Sequence, residues 1–452
     1  MKLVIQRINS NLILSDVIKH APVYFSGSFM TAIVGIFMAK YYTLVFGPAE
    51  YGILALYALM LQYVVQIISL NIDGAASRLY FDYRDRKKNI YLNSILTWMI
   101  FMSVIMIILG AALKPWIVKL IEPNTEALFI VTLITGIVMA INGVFNRVLI
   151  NEKKSMSMFK NALINLGVNH TVAIGLISGM GLGVLGRLIG QLCGLLANAG
   201  AIQYEFLKKR YIRYKKLFYW PMVKETILLA IPSVLTTLQG LLFVYLDRIF
   251  LKYFHGNTEV GIYSFAFLIG KGLSMVFESI SNILTPRCYE LMKKDYKHGI
   301  QELERFSIFY CIGILFLSLI IVFASPLIIK LLSNENYANA SKVLPFIVCG
   351  FMMGGVYKVP SVVLGFHKIV WFYPFLAFFS FGINAGLNYL LIPEYKEVGA
   401  AFASFIGLFL YSSVLQLMAM KFHHSISYKL FQLLVYVAVI ISVSLFFFVI
   451  FK

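Results

Sequence analysis

Lysines and arginines collect at every second gap between about thirteen long apolar stretches, an alternation expected of a chain that crosses a bilayer many times. A spanning helix needs roughly 20 apolar residues, because the hydrocarbon layer is about 30 Å thick and offers no hydrogen-bond partner to an unpaired backbone group. The stretches that meet this requirement run over 21–45, 51–74, 91–112, 127–150, 158–180, 182–204, 228–253, 260–283, 306–329, 343–366, 369–392, 397–420 and 430–451. Composition agrees: 60% of the residues are apolar, 13% are charged, and the mean hydropathy of +0.82 lies outside the soluble globular range.

Charge sets the orientation. With the N-terminus cytoplasmic, 27 of the 39 lysines and arginines fall in inner segments and 7 in outer ones, the bias that the positive-inside rule requires. A formal charge of +19 in a soluble protein would raise the question of nucleic acid. Here it sits on one membrane face, where it fixes topology and attracts anionic inner-leaflet lipid, so membrane lipids are the implied partner and nucleic acid is not. Residues 1–20, with Ile5, Ile8, Leu12, Ile13 and Val17, read as an amphipathic cytoplasmic lead-in rather than a cleaved signal. Cys193, Cys288, Cys311 and Cys349 lack metal-type spacing and imply neither a disulfide framework nor a metal site.

The expected fold is an all-α polytopic membrane protein. An N-lobe over 21–204 holds spans one to six, a basic linker covers 205–227, a C-lobe over 228–420 holds spans seven to twelve, and 430–451 is an additional C-terminal span. The longest expected loops are cytoplasmic, at 205–227 and 284–305, whereas outer loops such as Phe46 to Glu50 and Lys114 to Glu126 are short. An internal repeat supports two halves. At a constant offset of 209 residues, Gly47, Glu50, Gly52, Ile53, Arg78 and Tyr80 match Gly256, Glu259, Gly261, Ile262, Arg287 and Tyr289. An even number of spans separates the copies, so both halves share one orientation, which predicts pseudo-symmetric six-helix lobes around a central cleft.

Over residues 1–420 the chain resembles the oligosaccharide-lipid flippases of the polysaccharide exporter branch, O-antigen translocases among them, in the superfamily that also holds multidrug antiporters and lipid II flippases. The resemblance is carried by FGPAEYG after the first span, SRLYFDYR after the second, AIPSVL opening the seventh, LDRIFLKYFHGNTEVGIYS between the seventh and eighth, and LTPRCYELM after the eighth. It implies translocation of an undecaprenyl-diphosphate-linked oligosaccharide from the inner to the outer leaflet of a bacterial cytoplasmic membrane, with a glycan polymerase or glycosyltransferases as protein partners. A thirteenth span departs from the commonest twelve-span pattern and bears on where the C-terminus lies.

Ionisable groups inside a membrane are costly and tend to face a bundle interior or a watery cavity. Lys40, Arg187, Arg248, Lys271 and Lys358 outnumber the clearly intramembrane acids Asp247 and Glu278, with Asp73 borderline at a span end, a bias that suits a diphosphate. Lys40 and Arg248 fall near the outer ends of their spans, Lys271 near mid-span, and Arg78 and Arg287 at inner mouths. Substrate-binding candidates are therefore Arg78, Arg287, Lys271, Arg248, Lys40 and Lys358. Plainer alternatives stand beside these: Lys40 and Arg248 within reach of the surface by snorkelling, Arg78 and Arg287 as helix-end anchors, Lys271 in a structural pair with a neighbouring carboxylate, and, for the acid Glu278, a salt bridge to a loop lysine. Asp247 and Glu278 are the ion-coupling candidates, because burial raises a carboxyl pKa towards neutrality. Asp247 cannot share a helix face with Arg248, so its partner is expected on another helix. Lys271, Ser274, Glu278 and Asn282 share one face of the eighth span, and Ser233, Thr236, Gly240 and Asp247 one face of the seventh. Arg187 stands beside the small-residue seam of Gly186, Gly190 and Gly194 and is assigned to packing.

No catalytic grouping, cofactor motif or nucleotide loop is present; GKG at 270–272 lacks the upstream glycine of a phosphate loop and lies in a span. Two function classes remain: a lipid-linked oligosaccharide flippase driven by an ion or substrate gradient, and a cation-coupled multidrug or small-molecule antiporter. A membrane glycan polymerase or ligase is disfavoured by the short outer loops.

Overall fold

The computed structural model describes residues 30, 34–83, 85–152, 154–209, 218–369 and 371–421. The lead-in, the beginning of the first span, the centre of the linker and the thirteenth span lie outside these residues. In chain order the helices are α1 (Val34–Val45), α2 (Pro48–Ser69), α3 (Ile72–Leu79), α4 (Asp85–Ile121), α5 (Glu126–Asn151), α6 (Ser155–Ile174, prolonged by a π turn over Gly175–Gly179), α7 (Gly183–Lys209), α8 (Trp220–His255), α9 (Asn257–Lys294), α10 (Tyr296–Leu332), α11 (Ala340–Val356), α12 (Lys358–Phe366) and α13 (Tyr373–Met420). Nine helical stretches among the described residues are long and apolar enough to cross a membrane. Large side chains on α4 and α10, among them Ile108, Trp116, Phe309, Phe316 and Phe323, are exposed as a lipid-facing surface requires.

Two segments expected as loops are helical. Residues 114–121 continue α4 through Pro115, and the cytoplasmic 284–305 connection shrinks to Asp295, which ends α9 and caps α10 by accepting a hydrogen bond from the His298 N–H. An amphipathic pattern explains the second: Cys288, Met292, Ile300 and Leu303 pack with Val362 and Val363, while Lys293, Lys294 and Lys297 face outwards.

Two expected spans are broken, and two others run together. The second stops at Leu70 and Asn71, both left-handed (φ 45° and 52°), and resumes as the eight-residue α3. The tenth breaks between α11 and α12, where Pro360 has no N–H to give to the preceding turn. In α13 two arms meet at Lys396 (φ 50°), three residues after Pro393. Asn384 lies 3.3 Å from Ser404 across the two arms, although twenty residues of straight helix would separate them by about 30 Å. The arms therefore fold back on each other and are the expected spans eleven and twelve.

The described chain divides into two compact units: one of residues up to Tyr41 with Leu56–Leu238, the other of Tyr42–Ala55 with Gln239 onwards. In the first, α6 and α7 pack along the glycine seam. A Cβ on Gly190 would lie 2.6 Å from the Asn169 carbonyl oxygen, and one on Gly194 would lie 2.6 Å from Asn165. Arg187 donates to Asn169 Oδ1 at 2.9 Å across the same seam.

In the second unit the repeat becomes a physical contact. A Cβ on Gly52 would lie 2.0 Å from the Asn257 carbonyl oxygen, and one on Gly261 1.8 Å from that of Pro48. Pro48 and Asn257, like Gly52 and Gly261, are one repeat offset apart, so the first turns of α2 and α9 cross in a self-matching way, each glycine admitting the other helix's carbonyl. Both helices start alike, with Pro48 or Gly256 at the entrance and Glu50 or Glu259 in the first turn, where the helix dipole favours an acid. The approach to α2 is stapled to α10 and the turn after it: Thr43 donates to the Leu332 carbonyl (2.7 Å), Asn334 to that of Thr43 (2.9 Å), and Tyr337 to that of Phe46 (3.1 Å).

Candidate functional site

Two polar sites stand out, one in each unit. In the first, Arg78 from α3, Arg147 from α5, Ser233 from α8 and Asn71 at the entrance of α3 surround a cavity of about 390 Å³, completed by Gly74, Ala75 and Leu229. Arg78 is exposed and Arg147 half-buried. Among the described side chains, the lining holds two guanidinium groups and no carboxylate.

A helix of eight residues entered through two left-handed residues has little rigidity of its own, so α3 depends on side-chain ties. At its start, Asn71 Nδ2 donates to the Ser233 carbonyl (2.9 Å) and the Thr237 hydroxyl (2.7 Å) of α8. Just past its end, the Tyr80 hydroxyl donates to Glu152 Oε1, and Lys88 of α4 reaches the same oxygen at 3.0 Å while lying 3.6 Å over the Tyr80 ring. Farther on, Tyr83 donates to Glu225 of α8 at 2.8 Å; burial and that carboxylate push its phenol up to about 12, so it stays a donor.

Burial pushes the Glu152 carboxyl up, but the hydrogen bonds from Tyr80 and Lys88 and the charges of Lys88 and Lys154 outweigh it and hold the group below its ordinary value of 4.5. A depressed carboxylate stabilises fully above that ordinary value and loses its contribution as pH falls through the lower, folded one. Melting temperature followed from neutral pH into acid is therefore expected to show an acid-side decline that shrinks in Glu152→Gln. An unchanged decline would mean the tie contributes no pH-dependent stability.

In the second unit Asp247 of α8 is 1% exposed. It accepts hydrogen bonds from Tyr263 of α9, from Asn388 Nδ2 at 2.6 Å and from Ser404 at 2.5 Å, the last two on opposite arms of α13. Asn388 also donates to Asn384 at 3.2 Å, while its Oδ1 is buried without a hydrogen-bond partner among the described residues. Asp247, Tyr263 and Ser404 form one wall of a cavity of about 180 Å³ that also meets Glu278, Lys358, Ser274 and the rings of Phe267 and Phe351.

Of the cations nominated by sequence, Arg248 is buried at 4% exposure. It donates to Ser264 (2.9 Å) and the Val244 carbonyl (2.7 Å) and lies over the rings of Phe267, Tyr245 and Tyr263 at 4.4, 5.1 and 5.4 Å. The alternative of snorkelling to the surface from the outer end of its span does not hold, because the aromatic cage keeps it inside. Lys358 is half-buried, 5.0 Å over the Tyr357 ring. Lys40, Lys271 and Arg287 are exposed and line neither cavity. The structure thus brings together Asp247, Glu278 and Lys358, and separately Arg78 with Arg147. Sequence reasoning had counted Arg147 only as a topology charge and had passed over Asn388 and Ser404; Asn384 and Asn388, one helical turn apart in an apolar arm, were the available signal.

Residues 17–292 match the family model described as polysaccharide biosynthesis protein. The chain belongs to that family. Among curated relatives, the family member is 27% identical over 191 residues to the capsular polysaccharide biosynthesis protein CapF of Staphylococcus aureus, covering 41% of this chain and 47% of the relative. It is 23% identical over 299 residues to the Lsg locus putative protein 1 of Haemophilus influenzae, covering 65% and 71%. The chain thus spans about half the length of CapF. Among solved structures it is similar to the lipid II flippase MurJ in an inward closed conformation, with a TM-score of 0.71 at 16% identity, covering 95% of this chain and 99% of that one. It is also similar to an inward-facing multidrug resistance MATE family transporter of the MOP superfamily, with a TM-score of 0.70 at 14% identity, covering 89% and 97%. These likenesses establish the fold: an all-α, multi-pass membrane transporter architecture.

Proposed function

We propose that this protein moves an undecaprenyl-diphosphate-linked oligosaccharide from the inner to the outer leaflet of the bacterial cytoplasmic membrane by alternating access, for capsule or O-antigen synthesis. The carrying observation is the first-unit cavity, where the side chains of two arginines, an amide and a hydroxyl converge. Guanidinium forks pair bidentately with phosphate oxygens and keep their charge at any physiological pH. The positive-inside orientation sets this cavity at the cytoplasmic side, where the substrate enters. Lys358, Lys271, Arg287 and Lys40 are read as further positive stations for the headgroup, Arg248 as a support for Asp247, and no step calls for an enzyme's catalytic group.

Transport of a fluorescent diphosphate-linked oligosaccharide into liposomes tests this. Arg78→Gln or Arg147→Gln removes charged hydrogen bonds worth about 2 kcal/mol, so half-saturation should rise roughly thirtyfold. Melting should change little, since neither side chain is fully buried. Unaltered transport in both variants refutes the assignment.

A cation-coupled multidrug antiporter is favoured by one observation, the two carboxylates Asp247 and Glu278 in an aromatic-walled cavity. Efflux of a cationic dye that depends on Glu278 and ignores Arg78 would make that the better reading.

A further inference from the structure

We propose that the second-unit cavity is a sugar subsite: it takes one uncharged ring of the lipid-linked glycan, with Glu278 and Lys358 bonding its hydroxyls and phenylalanine rings covering its C–H faces. This rests on the flippase reading above and names the part of the substrate that the cavity recognises.

Glu278 of α9 and Lys358, which opens α12, line the same cavity with opposite charges. They make no ion pair with each other. Neither side chain forms a hydrogen bond or ion pair with any described residue; the Lys358 ammonium only lies over the Tyr357 ring, at 5.0 Å. An acid and a base that share a cavity without closing on one another leave an acceptor and a donor for a ligand. Much of the remaining wall is aromatic, and Phe243, Phe267 and Phe351 are half-buried, so part of each ring stays open. On α11 a Cβ at Gly354 would meet nothing within 4 Å, so this glycine leaves its side of the cavity clear at an ordinary backbone angle.

Other ligand classes fit this lining less well. A polyprenyl tail would bury both charges without partners. An organic cation gains Glu278 but is opposed by Lys358, and a phosphate gains Lys358 but is opposed by Glu278. A small zwitterion matches both charges and leaves the rings uncovered. A sugar hydroxyl donates and accepts, so one uncharged ring can donate to the carboxylate and accept from the ammonium while its C–H faces pack on phenylalanine. Size agrees: about 180 Å³ is below the roughly 300–1,000 Å³ of a site for a drug-sized molecule and suits one ring rather than a chain of them.

The experiment measures binding to the full chain in nanodiscs of bare undecaprenyl diphosphate and of the same lipid carrying one glucose, galactose or N-acetylglucosamine. Wild type is expected to bind at least one sugar-bearing lipid about tenfold more tightly than the bare one, as one charged hydrogen bond would give. Glu278→Ala and Gly354→Leu should each erase that preference and leave affinity for the bare lipid unchanged. Neither should lower the melting temperature, since Glu278 is exposed and Gly354 faces open space, where leucine is also the better helix former. A preference kept in either variant overturns the proposal. So does equal binding of all four lipids by wild type, which leaves the flippase reading standing. Free methyl glycosides form a second arm, and their binding without any lipid preference would assign the cavity to a soluble sugar instead. Wild-type protein that binds none of the lipids, yet binds ethidium in a manner lost in Gly354→Leu, would count against the flippase reading itself.

Discussion

Gly52→Ala and Gly261→Ala are each expected to destabilise the protein by about 3 kcal/mol or more, at the upper end of what overpacking costs. The added methyl would fall 2.0 Å from the Asn257 carbonyl oxygen in one case and 1.8 Å from that of Pro48 in the other. Neither obstacle is a side chain that can rotate away. Both are backbone groups in the first turns of helices, so relief requires moving a helix, and the crossing is bordered by Tyr51, Phe265 and Tyr337, all buried and in ring contact. The Gly47→Ala control, at an open position with an ordinary backbone angle, should melt like wild type. Because the two close contacts are related by the repeat, the penalties should also be similar. Thermal unfolding in detergent measures both; a tolerated alanine at either glycine would mean the crossing is looser than the contact implies.

That crossing shows how far sequence reasoning reached. The offset between FGPAEYG and HGNTEVG was visible in the chain, and so was the pairing of Gly52 with Gly261. Their meeting was not, because equivalence says nothing about contact: two copies of a motif can lie at opposite ends of a fold. Helix type was readable from apolar length, since the bilayer imposes the same requirement on every crossing. Helix ends were less so. Residues 284–305 looked like a loop because charges crowd them, yet charge on one face with Cys288, Met292, Ile300 and Leu303 on the other is a helix lying on a core. The first-unit cavity was half legible. Arg78 was nominated, but Arg147 becomes its neighbour only through the packing of α3 on α5, a tertiary fact hidden behind its more obvious service as an inner-face charge.

Asp247 is the residue on which energetic coupling should turn. Among the acids nominated for that role, Glu278 is exposed, whereas Asp247 is enclosed by three donors on two other helices and felt by the charge of Arg248. A carboxylate so placed can be neutralised only by a proton or a cation reaching it, and either would compete with Tyr263, Asn388 and Ser404 for its oxygens. Asn388 Oδ1, a buried acceptor without a partner among the described residues, adds an oxygen to the same neighbourhood. If one ion is exchanged per cycle, a tenfold gradient supplies about 1.4 kcal/mol and can sustain up to a tenfold difference in substrate. Asp247→Asn should abolish that accumulation while leaving downhill movement, because the proposed headgroup site at Arg78 and Arg147 is untouched. Ser404→Ala, which keeps the charge and removes one donor, should retain the gradient response at altered ion affinity. Removing a buried charge beside Arg248 also lowers stability, by about 3 kcal/mol where the remaining charge is left uncompensated, so the comparison is made at a temperature where both variants are folded. Gradient-driven accumulation that persists in Asp247→Asn and vanishes in Glu278→Gln would transfer the coupling role to the exposed acid.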